Sequence, residues 1–191
     1  MKTLLLLLTA GTLFSGVAFS ADRDSSNILL KKAKIASTEK RIGLAMNLFK
    51  QSIEQDPSNT EAYKEMGTYA IETRNYRQAY LALTKWNKLE PENQNAFLPL
   101  ANIHYMMGKH SEALAYAQKW EKANPGETQD KLIGMCYYYM ENFNQAVARL
   151  TVVAATQTED ATLQYTIGRS YVEQGQFEAA LPFYQKATYI D

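Results

Sequence analysis

An internal period of 34 residues is the feature that most limits how this chain can fold. Three registers keep this period, with a single interval of 33 in the last: Pro57, Pro91 and Pro125; Ala45, Ala79 and Ala113; Gly67, Ala101, Gly134 and Gly168. A period of this length is typical of repeat proteins, in which each short unit buries its apolar face only by stacking on its neighbours. The chain is therefore predicted to be a short array of similar units.

The composition favours helices over strands within each unit. Hydrophobic residues make up 46% and aromatic residues 12% of the chain, which excludes disorder. Only nine glycines and five prolines are present, so few positions are available to separate many short strands. Short polar segments interrupt the apolar rhythm once in each unit and predict turns between paired helices: Arg74-Asn75, Gly108-Lys109, Glu141-Asn142 and Gly175-Gln176.

The small residues predict where two helices touch. Gly67 and Ala79 are expected to lie on facing helices, because the missing side-chain bulk lets the two backbones approach closely. Bulky neighbours such as Leu83 then interlock across the contact.

Just before these helices, Ser58 and Glu61 have the spacing of a capping box, which predicts that both side chains satisfy free backbone N–H groups.

The period and its small, apolar and aromatic positions resemble the tetratricopeptide repeat (TPR), in which a short turn joins two antiparallel helices. The best copy covers residues 161–191 and carries Ile167, Gly168, Tyr171, Gly175, Phe177, Ala180, Tyr184 and Ala187 in phase. The resemblance implies an all-α fold, an α-solenoid of antiparallel helix pairs that forms a TPR-like right-handed superhelix.

The predicted organisation is a signal peptide followed by five repeats, of which the first is degenerate. Residues 21–59 form an N-terminal segment in which Lys32-Ala33 stands where an apolar-small pair belongs. Four TPR-like repeats then occupy residues 60–191, with boundaries at 60–93, 94–126, 127–160 and 161–191.

Residues 1–20 are predicted to be a cleaved secretory signal peptide. Lys2 supplies a positive charge, an apolar run from Leu4 to Val17 follows, and Ala18-Phe19-Ser20 places small residues before a cut between Ser20 and Ala21. A retained anchor is the alternative, but polar residues and glycines interrupt the run, which is short for a bilayer span. The mature protein is therefore expected to be periplasmic or secreted, without stable membrane insertion, by bacterial or eukaryotic export.

Charge and chemistry exclude several functions. Lysine plus arginine and aspartate plus glutamate both number 20, which removes the electrostatic argument for a nucleic-acid partner. The sequence has no phosphate-binding loop, no nucleophile elbow and no zinc-protease motif, and its two histidines are His104 and His110. Cys136 is the single cysteine and is predicted to be a buried, inert thiol. We expect no catalytic residues, no metal and no cofactor, hence no enzyme.

The resemblance also implies a binding surface, because the first helix of each TPR lines a concave face on which peptides dock. The positions carried over to this sequence are Asn102, Tyr105, Met106, Lys131, Met135, Tyr138, Tyr139, Tyr165 and Arg169. Tyrosine and methionine suit adaptable recognition, and the two cations are expected to favour an acidic partner. The alternative is that several of these side chains simply pack within the helix pairs.

The function predicted from these features is a non-enzymatic scaffold that binds a peptide or protein partner in a concave TPR groove, in bacterial envelope assembly or secretion. The alternatives are a regulatory or accessory subunit of an envelope enzyme complex, and a homo-oligomer that assembles through exposed repeat ends. The last helix is predicted to leave Leu181, Tyr184 and Tyr189 partly uncovered. This C-terminal edge is expected to contact another subunit, a partner or a continuation of the chain.

Overall fold

The computed structural model describes the backbone of residues 5–190 and the side chains of residues 22–190. Within residues 5–190 the chain forms ten α-helices and one short 3-10 helix, and no strand. The helices are α1 Leu5–Thr38, α2 Ile42–Gln55, α3 Thr60–Glu72, α4 Tyr76–Leu89, α5 Phe97–Met106, α6 His110–Ala123, α7 Asp130–Tyr139, α8 Phe143–Ala154, α9 Ala161–Glu173 and α10 Phe177–Ile190, with the 3-10 helix at Gln94–Ala96.

Consecutive helices pack as antiparallel pairs: α1 with α2, α3 with α4, α5 with α6, α7 with α8, and α9 with α10. This arrangement confirms the predicted all-α fold of the α-solenoid class. The chain divides into two compact units, Met1–Glu92 and Asn93–Asp191. The first unit holds two helix pairs and the second holds three.

The turn inside each pair contains one residue in the left-handed backbone region. These residues are Lys40, Arg74, Gly108, Glu141 and Gly175, with φ between 57° and 72°. The left-handed residue ends the first helix and lets the next N–H reach back, as Asn142 N does to the Tyr137 carbonyl at 2.9 Å. The turns predicted at Arg74, Gly108, Glu141 and Gly175 are therefore confirmed.

The small residues lie where the helices of a pair approach each other, as predicted. A Cβ atom added to Gly67 would lie 2.6 Å from Leu83 Cδ2, and one added to Gly134 would lie 2.6 Å from Leu150 Cδ2. The alanines of the facing helices are buried as well: Ala79, Ala113, Ala146 and Ala180. A leucine on the second helix therefore fills the space that the glycine leaves open.

The predicted capping box at the start of α3 is wrong in both members. Asn59, which directly precedes the helix, caps it by accepting a hydrogen bond from Ala62 N at 3.1 Å. Ser58 instead donates its hydroxyl to Asp56 Oδ1 at 2.6 Å. Glu61 forms ion pairs with Lys34 and Lys64. Asn59 displaces Ser58 because its side chain lies one residue closer to the free N–H groups of the first turn.

The segment predicted as a degenerate repeat pairs α1 with α2 by polar as well as apolar contacts. Ala33 is buried while Lys32 is exposed, and Leu30 supplies the buried apolar side chain on the same helix. Ser26 and Ser52 are fully buried, and each hydroxyl donates to the other's carbonyl oxygen at 2.8 Å. Two small residues thus bring α1 and α2 together here, with their polar groups satisfied.

The predicted signal peptide, residues 1–20, lies outside the residues whose side chains are described, and it stays a prediction. In the described part of the chain, no helix combines the length and the apolar character needed to cross a membrane. The repeat boundaries also stay a prediction, and each helix pair from α3 onward lies inside one of the predicted windows.

Gln164 in α9 is fully buried, and neither atom of its amide finds a hydrogen-bond partner among the described residues. An unsatisfied buried polar group costs about 1–3 kcal/mol. We therefore expect Gln164→Met to raise the free energy of unfolding by about 1 kcal/mol in urea denaturation. Gln185→Met, at an exposed position of α10, should leave it unchanged. A loss of stability in Gln164→Met would show that the amide is satisfied in solution.

Candidate functional site

A cleft of about 540 Å³ opens on the first helices of the three pairs in the second unit. Its walls come from α5, α7 and the start of α9, and we call it the Met cleft. It is lined by Asn102, Tyr105, Met106, Gln129, Lys131, Leu132, Met135, Asp160, Thr162 and Leu163. Five of the nine predicted groove residues therefore meet in one cavity: Asn102, Tyr105, Met106, Lys131 and Met135.

Three further predicted residues line a separate pocket of about 370 Å³, which we call the tyrosine pocket. Its lining residues are Tyr138, Tyr139, Glu141, Phe143, Arg169 and Glu173. The ninth predicted residue, Tyr165, lies in a third cavity beside Tyr184 and Ala187. The nine residues are thus distributed over three neighbouring cavities of the second unit.

Aromatic rings connect the Met cleft with the tyrosine pocket. The Tyr105 ring lies 6.1 Å from the Tyr139 ring, which lies 5.3 Å from the Tyr138 ring. His110 stacks on Tyr139 with ring centroids 4.5 Å apart and an angle of 11° between the planes. Phe143 continues the series at 6.1 Å from Tyr138. These contacts position the tyrosines, since each ring is held by at least one other.

Burial sets the protonation of the groups in and behind this surface. It raises the pKa of the Tyr105 phenol from its ordinary value near 10 to about 12. Burial also raises the pKa of the Tyr138 phenol. Behind the rings, burial raises the pKa of the Cys136 thiol to about 11, as expected for an inert thiol.

The two predicted cations are both held by carboxylates of the same unit. Lys131 Nζ lies 2.6 Å from Asp160 Oδ2, and this hydrogen bond lowers the pKa of the Asp160 carboxyl. Arg169 Nε lies 2.7 Å from Glu173 Oε1, and that hydrogen bond raises the pKa of the Arg169 guanidinium. This pairing weakens the basis for expecting an acidic partner, because each positive charge is compensated within the unit.

Asn102 offers the Met cleft an amide with free hydrogen-bonding capacity. Its side chain is half-buried and makes no hydrogen bond to another described residue. Its carbonyl and NH₂ groups can therefore accept from and donate to an extended backbone laid along α5. Among the lining residues, this amide is best suited to bind main chain and not a particular side chain.

The corresponding helices of the first unit present charges instead of an apolar cleft. Lys34 on α1 forms ion pairs with Glu61 and Glu65 on α3, at 3.4 and 3.0 Å. Lys64 adds a contact to Glu61 at 3.2 Å. These ion pairs compensate the charges of Lys34, Lys64, Glu61 and Glu65 within the first unit.

Sequence reasoning missed three residues that shape the aromatic surface: His110, Glu141 and Phe143. Glu141 belongs to the predicted turn after the tyrosines and Phe143 directly follows that turn, so their place in the sequence was the available signal. The other histidine, His104, is buried against Tyr116 at 5.4 Å, and this burial lowers its pKa. Within the described residues, no three histidine, cysteine, aspartate or glutamate side chains converge as a metal site.

The outer face of α10 is apolar and exposed. Phe177 is 67% exposed, Leu181 56% and Tyr189 95%, while Tyr184 is half-buried. The exposure predicted for Leu181 and Tyr189 is therefore confirmed, and that of Tyr184 is partial. Apolar surface of this kind marks contact sites in many proteins.

Comparison with known protein families gives matches to TPR proteins. The model of anaphase-promoting complex, cyclosome, subunit 3 matches residues 72–153, and a tetratricopeptide repeat model matches residues 161–191. The PEX5-related protein of Homo sapiens is 32% identical over 74 residues, which make up 39% of this chain and 12% of that protein. This chain thus spans a small part of that relative.

Solved TPR structures share the fold over most of the chain. YrrB, a TPR protein with an unusual peptide-binding site, has a TM-score of 0.73 at 22% identity, covering 85% of this chain and 84% of its own. MamA has a TM-score of 0.73 at 18% identity over 87% and 92% of the two chains. MamA from Desulfovibrio magneticus RS-1 reaches 0.74 at 15% identity over 87% and 95%. Together with the helix-pair geometry, these matches show a TPR-like fold.

Proposed function

We propose that this TPR-type interaction scaffold binds an extended peptide segment of a partner protein in the Met cleft. The observation that carries the proposal is the convergence of five predicted groove residues in one cavity of about 540 Å³. A cavity of this size, mainly apolar and with a few polar groups, is typical of binding sites. YrrB, which shares the fold, is described as having an unusual peptide-binding site, and this supports peptide binding as a use of the fold.

The lining of the Met cleft matches what an extended peptide needs. An extended backbone presents unpaired N–H and C=O groups, and the Asn102 amide can bind one of each. Met106, Met135 and Leu132 offer flexible apolar surface for the side chains. The compensated Lys131–Asp160 pair adds no net charge. The favoured peptide is therefore apolar at the residues seated in the cleft.

Replacement of Met106 by glutamate tests this use of the cleft. The side chain is 50% exposed, so the change should leave the unfolding midpoint intact while placing a charge on the binding surface. Peptides selected from a random display library on the wild-type protein are expected to bind Met106→Glu about tenfold more weakly or worse by calorimetry.

Val152→Glu is the matched control, because Val152 is 58% exposed but lies on α8, outside the cleft lining. It should bind the selected peptides like the wild type. Equal affinities for the wild type and Met106→Glu would contradict the proposed site, as would equal losses in the two glutamate variants.

The proposal includes export and a role in envelope assembly or secretion. It is supported by the charged start at Lys2, the apolar run from Leu4 to Val17 and the small residues before Ala21. In that setting the scaffold presents its cleft to exported or envelope proteins.

A second candidate function is association through the outer face of α10, with a second copy or with a partner. The exposure of Phe177, Leu181 and Tyr189 on one helix favours it. This surface is separate from the lining of the Met cleft, so both uses are compatible.

A further inference from the structure

The tyrosine pocket differs from the Met cleft in both charge and shape. Three aromatic side chains, Tyr138, Tyr139 and Phe143, line it together with two carboxylates and one guanidinium. We propose that this pocket binds a positively charged side chain, arginine or lysine, of the peptide held in the Met cleft. This inference rests on the proposed function and adds the chemical class of one peptide residue.

The charges of the pocket favour a cation. Arg169 is bound to Glu173 at 2.7 Å, so these two groups compensate each other. Glu141, exposed at the left-handed turn position, forms no ion pair with another described residue. The pocket therefore contains two carboxylates and one guanidinium, which leaves one negative charge to attract a cation.

The aromatic walls of the tyrosine pocket also favour a cation. Tyr138 meets Tyr139 and Phe143 at interplanar angles of 74° and 66°, so neither pair stacks face to face. His110 covers one face of Tyr139, which is 51% exposed, so a cation would lie on the opposite face of that ring. A lysine or arginine within about 6 Å of such a face is attracted by the ring quadrupole. The same unit already contains this contact, because Lys119 Nζ lies 5.3 Å from the centre of the Tyr116 ring.

The pocket is within reach of a peptide in the Met cleft. Tyr105 lines the cleft and Tyr139 lines the pocket, and their rings are 6.1 Å apart. An extended chain advances about 3.3 Å per residue, so a residue two or three positions beyond the cleft can place its side chain on Tyr139. The preferred peptide therefore has apolar residues in the Met cleft and a basic residue two or three positions away from them.

An acidic side chain would be disfavoured at this position. It would face Glu141 and Glu173, and the Arg169 charge that could attract it is already compensated by Glu173. Like charges at short distance repel each other, so the pocket discriminates against the acidic peptide expected from the sequence alone.

The test uses N-acetyl-arginine amide and N-acetyl-glutamate amide as probes, titrated into the purified whole chain and followed by NMR of the aromatic rings. The arginine probe is expected to shift the resonances of Tyr138, Tyr139 and Phe143 and to bind more tightly than the glutamate probe. Glu141→Gln should weaken arginine binding about threefold, and Tyr139→Leu by a similar factor. Glu127→Gln, an exposed carboxylate outside the pocket, should have no effect.

Equal binding of the two probes, or arginine binding unaffected by Glu141→Gln, would overturn the inference. The proposed function is measured separately by the selected peptides and Met106→Glu. Peptides that need Met106 but show no enrichment of basic residues would overturn the inference and leave the Met cleft in place. Enrichment of a basic residue that is lost when the selection is repeated on Glu141→Gln would support it.

Discussion

Replacement of Arg149 by methionine is expected to lower the free energy of unfolding by about 2–3 kcal/mol. Arg149 on α8 donates to Glu121 on α6 at 3.1 Å and to Asp130 on α7 at 2.7 Å, so one guanidinium joins three helices. Both carboxylates are largely buried, and removing their shared cation leaves two uncompensated charges. The loss is below that of a fully buried pair because Arg149 is 32% exposed.

The pH dependence identifies the cause of this loss. Burial alone would raise the pKa of Asp130, but the hydrogen bond from Arg149 holds it below the ordinary value. Near pH 4 the Asp130 carboxyl therefore binds more protons in the unfolded chain than in the folded protein. The stability that the Asp130–Arg149 pair contributes is lost as the pH falls further. The deficit of Arg149→Met should narrow when urea denaturation is repeated from pH 7 to pH 3.

Two further variants control this prediction. Arg77→Met, at an exposed position of α4, should change stability by less than about 0.5 kcal/mol. Combining Arg149→Met with Glu121→Gln and Asp130→Asn should recover part of the loss, because the uncompensated charges are then gone. A triple variant less stable than Arg149→Met would argue against the charge explanation.

Replacement of Gly134 by alanine is expected to destabilise the protein by about 1–2 kcal/mol, although alanine is the better helix former. The added Cβ would lie 2.6 Å from Leu150 Cδ2 and 2.7 Å from Leu150 Cγ, too close for any real contact. Leu150 is fully buried and cannot move aside. Overpacking therefore outweighs the gain of about 1 kcal/mol in helix propensity.

Gly168→Ala is the internal control, since Gly168 has the equivalent position in the last pair. Its Cβ would meet the Tyr184 ring at 3.2 Å, and that half-buried ring can shift outward. The gain in helix propensity then offsets the steric cost of this contact. The free energy of unfolding should stay within about 0.5 kcal/mol of the wild type. Thermal unfolding of the two variants compares them directly, and equal losses would mean that contact distance does not decide the outcome.

The fold could be predicted in detail because its signals are local and periodic. The turns at Arg74 and Glu141 follow from polar residues that interrupt an apolar pattern, and the structure places a left-handed residue at each. Close contact at Gly134 follows from a small residue in phase with three others. The cap of α3 was assigned to Ser58 and belongs to Asn59, because two adjacent residues of similar capping ability cannot be ranked by spacing alone.

The candidate site could be predicted only in part. The repeat phase indicates which helix carries Tyr105, Met135 or Arg169, and five of the nine predicted residues meet in the Met cleft. It does not indicate that Tyr138, Tyr139 and Arg169 form a separate pocket with Glu141 and Glu173. The separation of the tyrosine pocket from the Met cleft depends on ring contacts and side-chain conformations between helices. These produce no recurring pattern in the sequence.

The repeat period and the polar residues that interrupt it determined the helix pairs, the turns and the close contacts, because each depends on residues a few positions apart or on a spacing that recurs. The ion pairs were decided only by the tertiary structure. Lys131 pairs with Asp160, which is 29 positions away in the sequence. Arg149 pairs with Asp130 and Glu121, which are 19 and 28 positions away. Any of several charged side chains could have made these contacts, and the relative placement of neighbouring helices selects which atoms come within bonding distance. The net charge of the Met cleft and the tyrosine pocket therefore depends on which ion pairs form.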